Sequence, residues 1–236
     1  MNGRLLEALL AAGRDGRSAA LATRIADGSQ LFVEGGRTLG DLALDEAALQ
    51  AVRDALRADR NGSLETSAGR IFVEVMSPPR RCFVVGAVHI AQPLVQMLAL
   101  ADYRAVVIDP RLSFATESRF PGVELRTDWP DEALDDLKPD HRSAVVTLTH
   151  DPKLDDPALD RALKSECFYI GALGSRRTHA ARTKRLLERG FSKSDLGRIH
   201  APIGLAIGAV SPAEIAIAIL AQMTQTLRRS EEAEKA

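Results

Sequence analysis

CFVVGAVHIA, residues 82–91, is the stretch that decides the fold. Its apolar run does not alternate with polar residues, and it passes straight into a turn at Gly86 before small and apolar residues open a helix. A continuous run of this kind reads as a strand buried on both faces. The rhythm recurs at 104–109 (RAVVID), 143–149 (SAVVTLT) and 167–171 (CFYIG), each run ending in a polar or glycine-rich turn. Residues 89–101, 131–137, 156–163 and 175–189 fit helices between them. Strands alternating with helices predict an α/β fold, a Rossmann-like doubly wound parallel sheet. In such a sheet ligands bind beyond the carboxyl ends of the strands, so the turns carry the function.

Upstream the pattern changes at SPPRR, residues 77–81, where two adjacent prolines set an extended connector. The domain boundary is placed there, giving a small N-terminal α+β domain at 1–77 and the Rossmann-like domain at 78–236. Residues 5–12 read as a short helix. Residues 18–36 read as two strands around Asp27-Gly28, a dipeptide suited to tight hairpin turns. Asp45 precedes a helical stripe of Ala48, Leu49, Val52, Ala55 and Leu56, and residues 63–76 resemble a second hairpin.

The chain has 236 residues, 45% of them hydrophobic, with 31 Lys and Arg against 32 Asp and Glu. That near-neutral composition fits a globular protein and argues against a broadly basic surface for nucleic acid or membranes. No apolar run approaches the ~18 residues of a membrane span, and a cytoplasmic location is expected. Cys82 and Cys167 are far apart with apolar flanks, so they read as core residues rather than a metal or redox pair.

Five turns remain as candidates for chemistry. Gly86 and Ala91 supply the tight turn and the close packing of a dinucleotide motif, but Val88 places a β-branched side chain where pyrophosphate would approach. NAD(P) is therefore disfavoured, while another anion can still meet the helix start around His89. Asp109 lies 23 positions after Gly86, where an acid usually accepts from a ribose hydroxyl, and Arg111 beside it can receive phosphate. His150 and Asp151 follow Thr147 and Thr149 in a dense polar turn. Gly171, Gly174, Ser175, Arg176 and Arg177 form a glycine-rich turn into a helix. Cations at a helix start are unfavourable unless an anion is expected, which points to a phosphate-bearing ligand or an acidic partner. Finally, His200 heads a glycine-punctuated apolar stretch at 198–209, read as a buried loop lying in the crevice, before a capping box at Ser211, Pro212 and Glu214. No nucleophile or complete metal site emerges, so no catalytic residue is assigned.

The stretches SPPRR–CFVVGAVHIAQPL, VIDPR, LTHDPKLDDPAL, YIGALGSRRTHAARTKRL and RIHAPIGLAIGAVSPAEIAIAI, in this order, resemble the XdhC/CoxI family. These are accessory proteins of xanthine dehydrogenase and related molybdenum hydroxylases. The resemblance covers about residues 70–229 and implies a role in maturation: binding molybdenum cofactor (molybdopterin), sheltering it during sulfuration and delivering it to the apo-hydroxylase. A cysteine desulfurase is an implied partner, and a homodimer is compatible with the family. Gly86, His89, Asp109, Arg111, His150, Gly171, Gly174, Ser175, Arg176, Arg177 and His200 are then expected to line the cofactor crevice. Two departures stand out: Val88 replaces a glycine of the family's first turn, and residues 1–77 lack its cysteine motif. An NAD(P)-dependent oxidoreductase, or an interaction module without a ligand, are the alternatives.

Overall fold

A computed structural model of the chain describes residues 3–233. It divides into two compact units, the first ending at Pro78 and the second beginning at Pro79.

The first unit runs α1 (Gly3–Arg14), β1 (Ala19–Arg24), β2 (Gln30–Glu34), β3 (Arg37–Gly40), α2 (Glu46–Arg57), β4 (Gly62–Thr66) and β5 (Gly69–Met76). Its strands form an antiparallel sheet in the order β3-β2-β1-β5-β4. Strand alternation sends Ala20, Ala22, Val33, Ile71 and Val73 toward Val52 and Ala55 of α2. Leu21 and Phe32 meet Leu5, Leu9 and Ala12 of α1. The Asp27-Gly28 turn joins β1 to β2, with Gly28 at a φ of 74° and the Asp27 carboxylate accepting from the Arg24 guanidinium at 2.7 and 3.0 Å. Asp45 caps α2 by accepting from the Ala48 N–H at 2.8 Å.

The second unit continues with β6 (Arg80–Val85), α3 (Ala91–Leu100), β7 (Tyr103–Ile108), β8 (Glu124–Arg126), α4 (Pro130–Leu137) and β9 (Ser143–Thr147). It is completed by α5 (Pro152–Lys164), β10 (Tyr169–Ala172), α6 (Arg176–Glu188), α7 (Lys193–Leu196), β11 (Ile199–His200) and α8 (Pro212–Ala233). All five strand pairings are parallel, in the order β11-β10-β9-β6-β7-β8. The unbroken apolar runs follow from burial on both faces. Cys82, Val84, Val107 and Val146 pack with Leu94 and Leu98 of α3 and Ile219 and Met223 of α8. Phe83, Val85, Val106 and Val145 pack with Leu134 of α4, Leu159 of α5 and Leu186 of α6. Each such side chain fully buried contributes roughly 1.5–3 kcal/mol, so residues 82–85 anchor the middle of the sheet.

The expected capping box of α8 is present, with Glu214 accepting from the Val210 and Ser211 N–H groups at 2.7 and 2.9 Å. The stretch before it departs from expectation. Ile203 is buried, but Ile207 is 56% and Val210 83% exposed, so this is not a buried loop throughout. Gly204 and Gly208 turn the backbone at φ of 90° and 77°, and after Ile203 the chain runs along the surface until α8 begins. No helix among the described residues is long and apolar enough to cross a membrane.

Candidate functional site

From β6 the chain builds outward through β7 and β8, then returns to place β9 on the other side of β6. The reversal lies between β6 and β9, and the crevice beyond their carboxyl ends is where a doubly wound sheet takes a ligand. A chain of contacts crosses this edge from turn to turn.

The turn after β6 is tied to the one after β7. Asp109 is fully buried, and its Oδ2 accepts from the Ala87 N–H at 2.8 Å. The remaining contacts come from Arg111: its backbone N–H and Nε to Oδ1 at 3.0 and 2.9 Å, and Nη2 to Oδ2 at 2.7 Å. Burial pushes this carboxyl up, yet the Arg111 and Ala87 hydrogen bonds outweigh it and hold the group below its ordinary value. Two carboxylate oxygens offer about four lone-pair sites, and four donors occupy them. Asp109 thus has no acceptor left for a ribose hydroxyl. Arg111 lies over the Phe114 ring, 4.3 Å from its centroid, and its side chain is 39% exposed.

The turn after β6 also presses on the one after β9. Gly86 has a φ of 108°, and a Cβ there would lie 2.5 Å from Thr149 Cγ2. Thr149 is fixed in turn, because its hydroxyl donates to Asp155 Oδ1 at 2.6 Å. Asp151 caps α5 by accepting from the Lys153 N–H at 2.9 Å. His150 is exposed in the left-handed region at φ 62°, with Nδ1 3.6 Å from where a Gly174 Cβ would stand.

From Asp155 the contacts continue to the turn after β10. Arg182 donates through Nη2 to the Leu173 carbonyl at 2.9 Å and to Asp155 Oδ2 at 3.4 Å, and both charged residues are 1% exposed. Burial pulls the guanidinium down from its ordinary value and pushes the Asp155 carboxyl up. The neighbouring Arg185 and Asp156 pair at 2.5 and 3.0 Å. Gly174 follows at φ 138°, then Ser175 caps α6 by accepting from the Thr178 N–H at 3.2 Å. Arg176 and Arg177 project from the first turn of α6, exposed and without a hydrogen bond or ion pair to another described residue. Two unneutralised cations therefore stand at the positive end of a helix dipole, beside a glycine turn.

Gly86, Asp109 and Arg111 are thus linked to each other, and Gly86 is linked through Thr149, Asp155 and Arg182 to the turn that carries Gly174, Ser175, Arg176 and Arg177. His89 is exposed on the first turn. Gly171 and His200 are placed differently. Gly171 lies within β10, and a Cβ on it would meet Ile203 Cδ1 at 2.5 Å, so a side chain rather than a ligand uses its bareness. His200 stacks on Tyr169 with centroids 4.8 Å apart, and burial lowers its pKa. Tyr169 belongs to the core facing α3 and α8, whereas Asp155 and Arg182 lie between α5 and α6. Both cysteines are buried, and burial pushes the Cys167 thiol up to about 11 and Cys82 higher still. Among the described residues no group of three or more His, Cys, Asp or Glu is placed to hold a metal ion.

Comparison with known proteins adds a family. The family described as the XdhC Rossmann domain matches residues 82–223. A probable xanthine dehydrogenase subunit from Bacillus subtilis (strain 168) is 32% identical over 160 residues, covering 67% of this chain and 46% of that protein. "Molybdenum cofactor insertion chaperone PaoD" of Escherichia coli (strain K12) is 37% identical over 93 residues, covering 39% of this chain and 29% of that protein. The chain thus spans less than half the length of either relative. A crystal structure of a xanthine dehydrogenase from Bacillus halodurans superposes with a TM-score of 0.71 at 26% identity, over 98% of this chain and 67% of that one.

Proposed function

The chain belongs to the XdhC family, and from that premise we propose that it acts in the maturation of a molybdenum hydroxylase, binding molybdenum cofactor as cargo for delivery to the apo-enzyme. The observation that carries the ligand reading is the pair Arg176 and Arg177, exposed and unneutralised at the start of α6 beside Gly174. The cofactor's pterin bears a phosphate monoester, and two guanidinium groups with helix N–H groups suit a dianion of that kind. The cargo supplies the redox metal; this chain's residues bind and shelter the anionic end. Kinship with a protein named as a cofactor insertion chaperone supports the same role.

A nicotinamide dinucleotide fits less well. Val88 stands where pyrophosphate would approach, and the carboxylate of Asp109 is consumed by Ala87 and Arg111. Sulfuration of the cofactor falls to a partner, for which a cysteine desulfurase is the fitting class, because Cys82 and Cys167 are both sealed in the core. A thiol that is buried and raised in pKa is a poor sulfur acceptor.

The reading is tested by purifying the protein from cells with active cofactor synthesis and measuring released pterin by its fluorescence after oxidation. Wild type is expected to carry pterin, and the Arg176→Ala/Arg177→Ala variant to lose most of it while keeping its thermal midpoint. Equal retention by the two proteins contradicts the assignment.

A further inference from the structure

Beneath the start of α6 lie buried polar atoms that the contacts above leave unsatisfied. Arg182 Nε and Nη1, Thr147 Oγ1 and His179 Nδ1 are all buried without a hydrogen-bond partner. A buried guanidinium ordinarily fills its donors, since an unmade hydrogen bond in the interior costs far more than a made one contributes. Here only Nη2 is engaged, and its 3.4 Å contact with Asp155 is longer than a normal hydrogen bond.

The four atoms belong to one neighbourhood. Leu173 ties two of the residues together: its N–H donates to the Thr147 carbonyl at 2.8 Å, and its own carbonyl accepts from Arg182 at 2.9 Å. Thr147 is two positions after Val145 on β9, so its side chain faces the same helices, α5 and α6. His179 and Arg182 are three apart on α6 and share a face, and burial first, with the guanidinium second, lowers the pKa of the imidazole. The fixed charges around the cluster are Asp155 and Asp156 from α5 against Arg182 and Arg185 from α6, which cancel. Arg176 and Arg177, on the first turn above, then tip the balance toward an anion.

We propose that Arg182, flanked by Thr147 and His179, is a second and deeper anion-binding residue that receives the phosphate monoester when the turn at Leu173, Gly174 and Ser175 gives way. The inference rests on the cofactor reading for its natural ligand, but its chemistry is that of any phosphate dianion. Arg176 and Arg177 attract the group, and Arg182 holds it. Gly174, at φ 138°, is the residue in that turn whose backbone an ordinary side chain would restrict.

The probe is inorganic phosphate, titrated into the full chain carrying 15N-labelled arginine. The buried Nε–H of Arg182 is assigned by its disappearance in Arg182→Lys. Its resonance is expected to shift with phosphate, with the same midpoint that calorimetry gives for binding. In Arg182→Met the affinity is expected to fall about ten- to a hundredfold, with Arg182→Lys in between. A phosphate titration that moves only the resonances of Arg176 and Arg177 overturns the proposal, and so does undiminished affinity in a folded Arg182→Met. The wild-type titration decides the matter even if that variant does not fold. Phosphate binding at Arg182 that molybdopterin does not compete away leaves the site standing and removes the cargo reading. Retained pterin with an unresponsive Arg182 does the reverse.

Discussion

Asp109→Ala is expected to lower the unfolding free energy by about 2–4 kcal/mol. The buried Ala87 N–H loses its acceptor at 2.8 Å and Arg111 loses its bidentate partner. Arg111, being partly exposed, can turn to water, which keeps the cost below that of stranding a fully buried charge. Asp109→Asn keeps an acceptor for Ala87 but not the ion pair, and should fall between wild type and alanine. The effect depends on pH. The folded-state pKa lies below the unfolded one, so the stabilisation is complete above about pH 4 and is lost as the pH falls through the lowered folded value. Denaturant titrations of the three proteins across the acid range check this. Equal stability of wild type and Asp109→Ala at neutral pH would mean that the carboxylate does not hold the two turns together.

The second large effect is expected at Gly86. Alanine there needs a φ of 108° and puts a Cβ 2.5 Å from Thr149 Cγ2. The backbone part costs about 1–3 kcal/mol and the overpacking about 1–3 kcal/mol. Thr149 cannot swing aside cheaply, because its hydroxyl is bonded to Asp155 at 2.6 Å. Thr149→Ser removes the clashing methyl and keeps that hydroxyl. The Gly86→Ala/Thr149→Ser pair should therefore recover the packing part and retain the backbone part, a non-additivity that a double-mutant cycle reads directly. Strict additivity would place the cost elsewhere than in the contact between the two turns.

The parallel sheet was legible because strands buried on both faces need unbroken apolar runs, and residues 82–85 and 144–146 supply them. The short outer strands were not. Glu124–Arg126 and Ile199–His200 carry too few residues for a period, and the edge strand Arg37–Gly40 is held by backbone pairing with little burial. At the site, Arg176 and Arg177 could be read from a helix start, where cations are out of place. Asp109 and Gly171 sit where a ligand would need an acid and a bare backbone. Arg111, Ala87 and Ile203 use them first, and those are tertiary contacts that spacing does not report. Arg182 was hidden for a related reason. On a helix with Lys184, Arg185 and Arg189 it reads as one more solvated cation, and only the packing of α6 on α5 brings it to Asp155 and Leu173. Asp155 and Asp156, acids on the buried side of α5, were the available signal that a cation is also buried there.

The crevice beyond β6, β9 and β10 is expected to recognise its cargo through a phosphate. The most direct test compares the affinity of the purified chain for molybdopterin and for the same pterin after phosphatase treatment. Recognition through the phosphate predicts at least about tenfold weaker binding once that group is gone. Equal affinity for the two forms would contradict it.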